Sequence, residues 1–248
     1  LLEHLGEELA LRLSIGGIEI AFNLVVLAVA VAVAGGLVLL SLWIRRGLSL
    51  DPDAPLSRRA ALVAAAIDFF REQLLGGVSP ELGDRLLPLV ATLFLYVLAC
   101  NWVGVLPIPY IVSPTQDLNV ALGLALFVYG STHYYGVRTK GIRRHVKGYF
   151  DPVPFLMPLN LLGDFGRTLS HGFRLFGNIL GGSLLTAVTP VVVLRIAELI
   201  PVVGEALGWV ARVAVVLGLN LAFGLFFGAI QALVFALLAA AYIQVTAD

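Results

Sequence analysis

The sequence predicts an all-α integral membrane protein with about five membrane-embedded helices plus an interfacial amphipathic helix. Three observations lead there. Hydrophobic residues make up 59% of the 248 and charged residues only 13%, whereas a soluble domain carries about 25% charge. Most of the exterior must therefore face lipid. The apolar residues gather into uncharged runs long enough to cross a hydrocarbon core of roughly 30 Å as helices. Lipid also excludes open strands, whose backbone groups would go unpaired. The polar connections are too short for a separate soluble domain, so residues 1–248 read as a single membrane domain.

Taken in order, the chain begins with acidic residues (Glu3, Glu7, Glu8). That is the wrong charge for a secretory signal peptide, and the first apolar run is expected to be retained. Span 1 covers 24–44 and is followed by Arg45 and Arg46. Within 57–75, Val63, Ile67, Phe70 and Leu74 recur at helical spacing among Arg58, Asp68, Arg71 and Glu72. This is either a helix lying on the membrane surface or an amphipathic helix packed on protein. Span 2 covers 86–106 and ends at Pro107 and Pro109. Span 3 covers 118–137, interrupted only by His133; Asp117 or Thr115 either caps it or lines an aqueous entrance. Two further runs, Leu175 to Leu194 and Val213 to Ala247, complete the set.

Basic residues mark the cytoplasmic side. Arg45, Arg46, Arg58 and Arg59 follow span 1, and Lys140, Arg143, Arg144 and Lys147 follow span 3. The N-terminus is thus expected on the non-cytoplasmic side. Sixteen basic and sixteen acidic residues cancel, which argues against nucleic acid as a partner. The single cysteine, Cys100, excludes a disulfide framework and any Cys-based metal site. It sits in an apolar run and reads as an inert thiol. Neither a metal nor a cofactor is expected.

Chemistry concentrates between Asp164 and Asn178. Place the segment on a helix with Arg174 at zero. Arg167 then falls at about +20° and Ser170 at about −40°. His171 falls at about +60°, Asn178 at about +40° and Asp164 at about +80°. All six polar residues share a face about 120° wide. From Leu175 to Leu194 there is no charge. A charge near mid-bilayer costs about 2.5–3.5 kcal/mol, so such a residue normally faces a cavity or a partner. The alternative is that Arg174 snorkels to the interface beside Arg167. The last run has a milder stripe: Asn220, Gly224 and Gln231 lie within about 40° of one another, with Tyr242 returning to that face. It lines a path or bonds helices together.

Ser170-His-Gly-Phe-Arg174-Leu-Phe-Gly-Asn178 resembles the arginine motif of subunit a of F-type ATP synthases. Pro114-Thr-Gln-Asp-Leu-Asn119 resembles the Pro-Thr-x-Asp-Leu-Asn element of the same family, and Gln231-Ala-Leu-Val-Phe-Ala running to Tyr242 is similar to its C-terminal helix. The three motifs occur in the family's order and cover the chain from about residue 20 onward. The resemblance implies a stator subunit of a rotary membrane motor, without a catalytic site of its own. It also implies that 158–200 and 204–246 form a tilted hairpin against a rotating ring of c subunits, turning near Pro201. By the same resemblance Arg174 faces the ring carboxylate, Asn178 and Gln231 belong to ion half-channels, and Ser170 lies on the cytoplasmic access side. Partners would be the c ring, the peripheral-stalk b subunits, other synthase subunits and membrane lipids. The setting would be a bacterial plasma membrane or an equivalent energy-coupling membrane.

Two departures stand out. Where many relatives carry an acid five residues beyond the asparagine, this chain has Ser183; where the family often has His or an acid seven residues before the glutamine, it has Gly224. Glu198 and Glu205 near the turn, or Asp164 and Asp117, are candidate half-channel acids, although Arg195 and Arg212 are available to neutralise the first two. Water held by Asn178, Gln231 and Asn220 is the other way to conduct. His133 and His171 are either relays or structural hydrogen-bonding residues. A stand-alone channel or secondary transporter is the rival reading, but no repeat joins the two halves. An intramembrane enzyme lacks support, since HExxH, GxSxG and an acidic metal cluster are all missing from the sequence. Proton and sodium remain alternatives for the coupling ion.

Overall fold

The computed structural model describes residues 10–15, 18–48, 57–106, 112–151, 153–198 and 205–247. The helical membrane architecture is as the sequence predicts. One short feature was not expected: strands β1 (Ala10–Ile15) and β2 (Ile18–Asn23) pair antiparallel, from Ala10 opposite Asn23 to Ile15 opposite Ile18. Its signal was present as period-two alternation, with Leu11, Leu13 and Ile15 set against Arg12 and Ser14. A hairpin has open edges, so it belongs outside the hydrocarbon.

Helix α1 (Leu24–Arg46) starts where the Asn23 side chain accepts hydrogen bonds from the Val25 and Val26 N–H groups at 2.9 and 3.4 Å. Arg45 and Arg46 fall in its last turn, where cations suit the helix dipole. Helix α2 (Arg58–Leu75) is capped by Ser57, which accepts from Ala60 N–H at 3.2 Å. Its apolar stripe docks only at the C-terminal end. Leu74 and Leu75 are buried and Phe70 meets Phe94 edge-on at 5.6 Å, whereas Ile67 stays 40% exposed. The packing on protein is thus confined to the C-terminal end of the helix, and the rest of the stripe is uncovered by the described residues.

Helix α3 (Pro80–Val103) begins six residues before the predicted span, with Pro80 in the first turn, where no N–H is required. Leu86, Val90, Leu93, Val97 and Cys100 are buried along one face, which makes Cys100 a packed thiol. Helix α4 (Leu118–Lys140) is capped by Asp117, which accepts from Asn119 N–H at 2.8 Å. The capping reading of Asp117 is therefore met. After Gly141, whose φ of 81° suits glycine alone, comes the short α5 (Ile142–Gly148). The long pair consists of α6 (Met157–Glu198), α7 (Glu205–Leu219), a π-helical segment (Asn220–Phe227) and α8 (Gly228–Ala247). The predicted turn at Pro201 lies outside the described residues.

Among the described residues four stretches are long and apolar enough to cross a membrane: Leu24–Arg46, Pro80–Val103, Pro154–Val193 and Gly208–Ala247. The predicted third span, α4, reaches about 34 Å at 1.5 Å per residue but is too polar to join them. Asn119, Ser131, Thr132 and His133 are the reason. Helix α4 is sheltered instead, packing on both α6 and α8. Together with α3 these helices enclose the core, where Val97, Ala121, Leu175, Ala232 and Ala239 are 0–1% exposed.

The π segment has an identifiable cause. Its wide turn loosens main-chain carbonyls, and the end of α3 captures them. Trp102 Nε1 donates to the Leu225 carbonyl at 3.2 Å and Asn101 Nδ2 to the Gly228 carbonyl at 2.8 Å. That approach requires glycine. A Cβ on Gly224 would collide with Val105 Cγ2, and one on Gly228 would sit 3.2 Å from Asn101 Cβ. Asn101 also accepts from Thr115 Oγ1 at 2.6 Å, and Ser113 Oγ donates to the Cys100 carbonyl at 2.9 Å. The Pro-Thr-Gln-Asp element is thereby latched to α3, with Thr115 fully buried.

Two outcomes follow for stability. Gly224→Ala should destabilise the protein by about 1–3 kcal/mol, and Val105→Ala in the same chain should recover most of the loss. Equal stability of single and double variants in an SDS-unfolding titration would contradict the assigned collision. Asn101→Ala removes the hydrogen bonds to the Thr115 hydroxyl and the Gly228 carbonyl, leaving Thr115 only its contact with Ser113, and should lower stability by about 1–3 kcal/mol in the same titration.

Candidate functional site

Arg174 lies on α6 two residues beyond Gly172, where that helix packs closely on α4: a Cβ on Gly172 would lie 3.0 Å from Leu122 and 3.2 Å from Ala125. This level is at the end of α4 far from its basic tail, Arg138 and Lys140. The guanidinium is thus deep along the helix rather than at its start. Arg174, Ser170, Asn178 and Arg167 lie along the flank of α6 facing away from the bundle, and all four are exposed. None of the described carboxylates forms an ion pair with Arg174; Asp164 is taken by Arg167 at 3.3 Å.

The predicted six-residue polar face is divided. His171 is 2% exposed and turned inward, with its ring 4.0 Å from Phe235 and 5.7 Å from Tyr242 between centroids. Asp164 is half-buried and also turns inward, where it accepts from Tyr149 Oη at 2.8 Å and lies 3.5 Å from His133 Nε2. His133 Nδ1 in turn is 3.1 Å from His145 Nε2. Helical spacing could group Asp164 with Arg174 on one face. It could not show that the bundle wraps around one side of that face.

Burial, with His133 and Lys140 nearby, pushes the His145 imidazole below its usual range and keeps it neutral near neutral pH. Burial and the hydrogen bond to Asp164 push the Tyr149 phenol up. His145, Tyr149 and the buried Thr168 were not singled out from the sequence. Their only mark was polarity beside a basic loop. A surface cavity of about 660 Å³ at this end is lined by Arg144, His145, Tyr149, Asp164, Arg167 and Thr246 among others. A second, of about 10 Å³, is lined by Asp164, Arg167, Thr168, His171, Tyr242 and Thr246, among others.

Beyond Arg174 lies a third cavity, of about 260 Å³, bounded by the end of α3, the Ser113–Gln116 turn, α6 and the π segment. Its polar lining is Asn101, Ser113, Gln116, Ser183, Thr186 and Asn220, together with Gly224. Ser183 and Gly224, the two positions where the family's pattern has an acid and a His or acid, therefore face one common space. No described carboxylate lines it. At Gly224 none would fit, because Val105 stands where its Cβ would be. Asn101 and Thr186 were missed at the sequence level. The helix side chains of Glu198 and Glu205 lie outside the described residues, and Asp117 is engaged as a cap.

The stripe read across Asn220, Gly224 and Gln231 needs correction. Its phase assumed 100° per residue, but the π segment turns more slowly. Asn220 and Gly224 line the cavity; Gln231, half-buried on α8, is not among its lining residues. The Asn119 and Tyr242 positions are half-buried, Tyr242 beside His171.

Residues 24–244 match the family described as ATP synthase A chain. The chain is 35% identical over 207 residues to ATP synthase subunit a 1 of Crocosphaera subtropica, covering 84% of this chain and 80% of that one. It is 31% identical over 234 residues to ATP synthase subunit a of Bacillus subtilis, covering 91% and 92%. Over a shorter stretch of 126 residues it is 42% identical to the Legionella pneumophila subunit a, covering 50% and 52%. With its spans, its arginine-bearing helix and this full-length likeness taken together, the chain belongs to the ATP synthase A chain family.

Proposed function

We propose that this chain is the stator subunit of a rotary ATP synthase membrane motor, with Arg174 facing the carboxylate of a c-subunit ring between two ion half-channels. The observation that carries the reading is the position of Arg174 between the two basic-end cavities and the cavity of Asn101 and Ser183, which shares no lining residue with either of them. On α6 one set ends at His171 and the other begins at Ile179. The gap is eight residues, about 12 Å of helix, and Arg174 sits within it. The flank bearing Ser170, Arg174 and Asn178 is the surface offered to the ring. The alternative of Arg174 snorkelling beside Arg167 fits less well, since α6 meets α4 near its non-basic end at this level.

The mechanism follows from charge. A ring carboxylate crosses lipid only when neutral, and it must ionise on reaching the stator. Arg174 stays protonated at any working pH. At roughly 4 Å and an effective dielectric near 20, a fixed cation favours the ionised acid by about 4 kcal/mol, or about three pKa units. Ion release into one half-channel and uptake from the other then bias rotation, at roughly 2.3 kcal/mol per charge per 100 mV. The same fixed charge opposes a direct cation leak between the cavities.

In this reading the outer half-channel is the cavity of Asn101, Gln116, Ser183, Thr186 and Asn220, a polar path without a described carboxylate. Asn178 and Gln231 stand at the ring-facing ends, Ser170 and Asp164 on the cytoplasmic side, and Glu198 or Glu205 gather ions at the outer mouth. The basic loops place the N-terminus outside the cytoplasm, in a bacterial plasma membrane or its equivalent. Peripheral-stalk b subunits hold the chain against the ring, and nucleotide chemistry belongs to other subunits.

Arg174→Ala in reconstituted complexes should abolish ion-driven ATP synthesis and raise passive leak; retained coupled synthesis would end the motor reading. Ser183→Leu should fill the outer cavity and slow synthesis about tenfold or more while leaving assembly intact. A normal rate in that variant would move the outer path elsewhere, and reduced rates in Glu198→Gln or Glu205→Gln would locate its mouth.

A further inference from the structure

Between α4 and α6 the chain takes a course that packing of the bundle does not explain. Gly141, at a φ of 81°, turns it back on itself, and α5 folds along α4 instead of running out into water. His145 of α5 meets His133 of α4 at 3.1 Å. It also lies against Gly136, where an added Cβ would stand 2.9 Å from His145 Nδ1 and 2.7 Å from Thr246 Cγ2. Thr246 is in the last turn of the apolar run Gly208–Ala247. Such a run ends where the hydrocarbon ends, so α5 lies at headgroup depth. Tyr134 belongs to the same level of α4. It is 56% exposed and accepts from Arg138 Nη1 at 2.7 Å, as suits the aromatic belt of a membrane boundary.

No residue of α5 is buried. With His145 set at zero, Ile142 and Val146 fall at about 60° and 100°, and Arg143 and Lys147 at about 160° and 200°. Ile142 and Val146 are 65% and 49% exposed, and Phe150 just beyond the helix is 38% exposed. Arg143 and Lys147 are exposed as well, and among the described residues neither forms an ion pair. Arg144 turns the other way and lines the large cavity with His145 and Tyr149. The helix thus has a polar side fastened to the bundle, an uncovered apolar strip, and a pair of cations beside that strip.

We propose that α5 is an interfacial strap that binds anionic phospholipid at the basic end of the bundle, with Ile142, Val146 and Phe150 among the upper acyl chains and Arg143 and Lys147 on the headgroups. Depth and charge select this occupant. An apolar strip at headgroup level finds acyl chains directly beneath it. Two neighbouring cations with no acid between them suit a surface of net negative charge, and each is worth about fivefold in partitioning to it. An acidic protein would satisfy the cations but would leave the strip's depth without a purpose. Seated in this way, α5 also holds its other side in place, where Arg144, His145 and Tyr149 form a wall of the large cavity. The strap is independent of the role given to Arg174.

The test uses the whole synthase in nanodiscs of equal parts phosphatidylcholine and phosphatidylglycerol. Val146→Cys carries a bimane label, in complexes whose other subunits lack reactive cysteines. Cys100 is fully buried and stays unlabelled. Bromine is placed on the acyl chains of one lipid at a time, so that each lipid's contact with the strip is read as quenching. Brominated phosphatidylglycerol should quench about twofold or more above brominated phosphatidylcholine, and salt at about 0.5 M should bring the two together. Arg143→Gln with Lys147→Gln should equalise them while both lipids still quench, because the apolar strip keeps its depth. Equal quenching in the parent complex, or a preference that survives the double substitution, would overturn the strap. So would a label that neither lipid quenches, since an adjoining subunit or water would then cover the strip. The motor reading is judged separately by Arg174→Ala, whose loss of coupling does not depend on α5.

Discussion

A guanidinium cannot shed its proton, and a hydrocarbon slab does not tolerate bare charge. That conflict organises the molecule. Helix α6 must be long enough to carry Arg174 away from the surface, and its own bundle must leave that flank uncovered. No described carboxylate within the chain satisfies it; Asp164 is fully engaged by Arg167 and Tyr149. Among the described residues Arg174 thus stands on an exposed flank with no paired carboxylate. The rest of the bundle serves this exposure. Helix α4 braces the opposite side of α6 through Gly172, and Gly182 lets Phe223 pack closely further along.

Much of this was legible in the sequence. Hydropathy located α1, α3, α6 and α8 because in lipid the same physics sets helix length and composition. Asp117 followed by Leu118 and Asn119 announced a cap, and the structure has one. The arginine motif lies on α6. What was hidden depended on neighbours. Wheel geometry grouped His171 with Arg174 but carried no information on where α8 would lie, and Phe235 and Tyr242 place His171 indoors. The hairpin was passed over because its alternation is short and precedes a far stronger apolar run. His145 looked like one more polar residue in a basic loop until α5 folded back onto His133.

The cavity beyond Arg174 joins the two positions at which the sequence departs from the pattern it resembles. Ser183 and Gly224 are far apart in sequence yet border the same space. Val105 occupies the place a side chain at residue 224 would need. Amides and hydroxyls, rather than an acid, give this space its polarity.

The wide turn between Asn220 and Phe227 has a geometric consequence of its own. An i→i+5 turn stores surplus backbone compared with an ordinary helix. Because Trp102 and Asn101 clamp its carbonyls from α3, the surplus is confined to that stretch. Helices α7 and α8 are therefore not one rigid rod but two rods with independent azimuth. Changes in the facing of either can be absorbed at the joint, leaving the other's packing where it was.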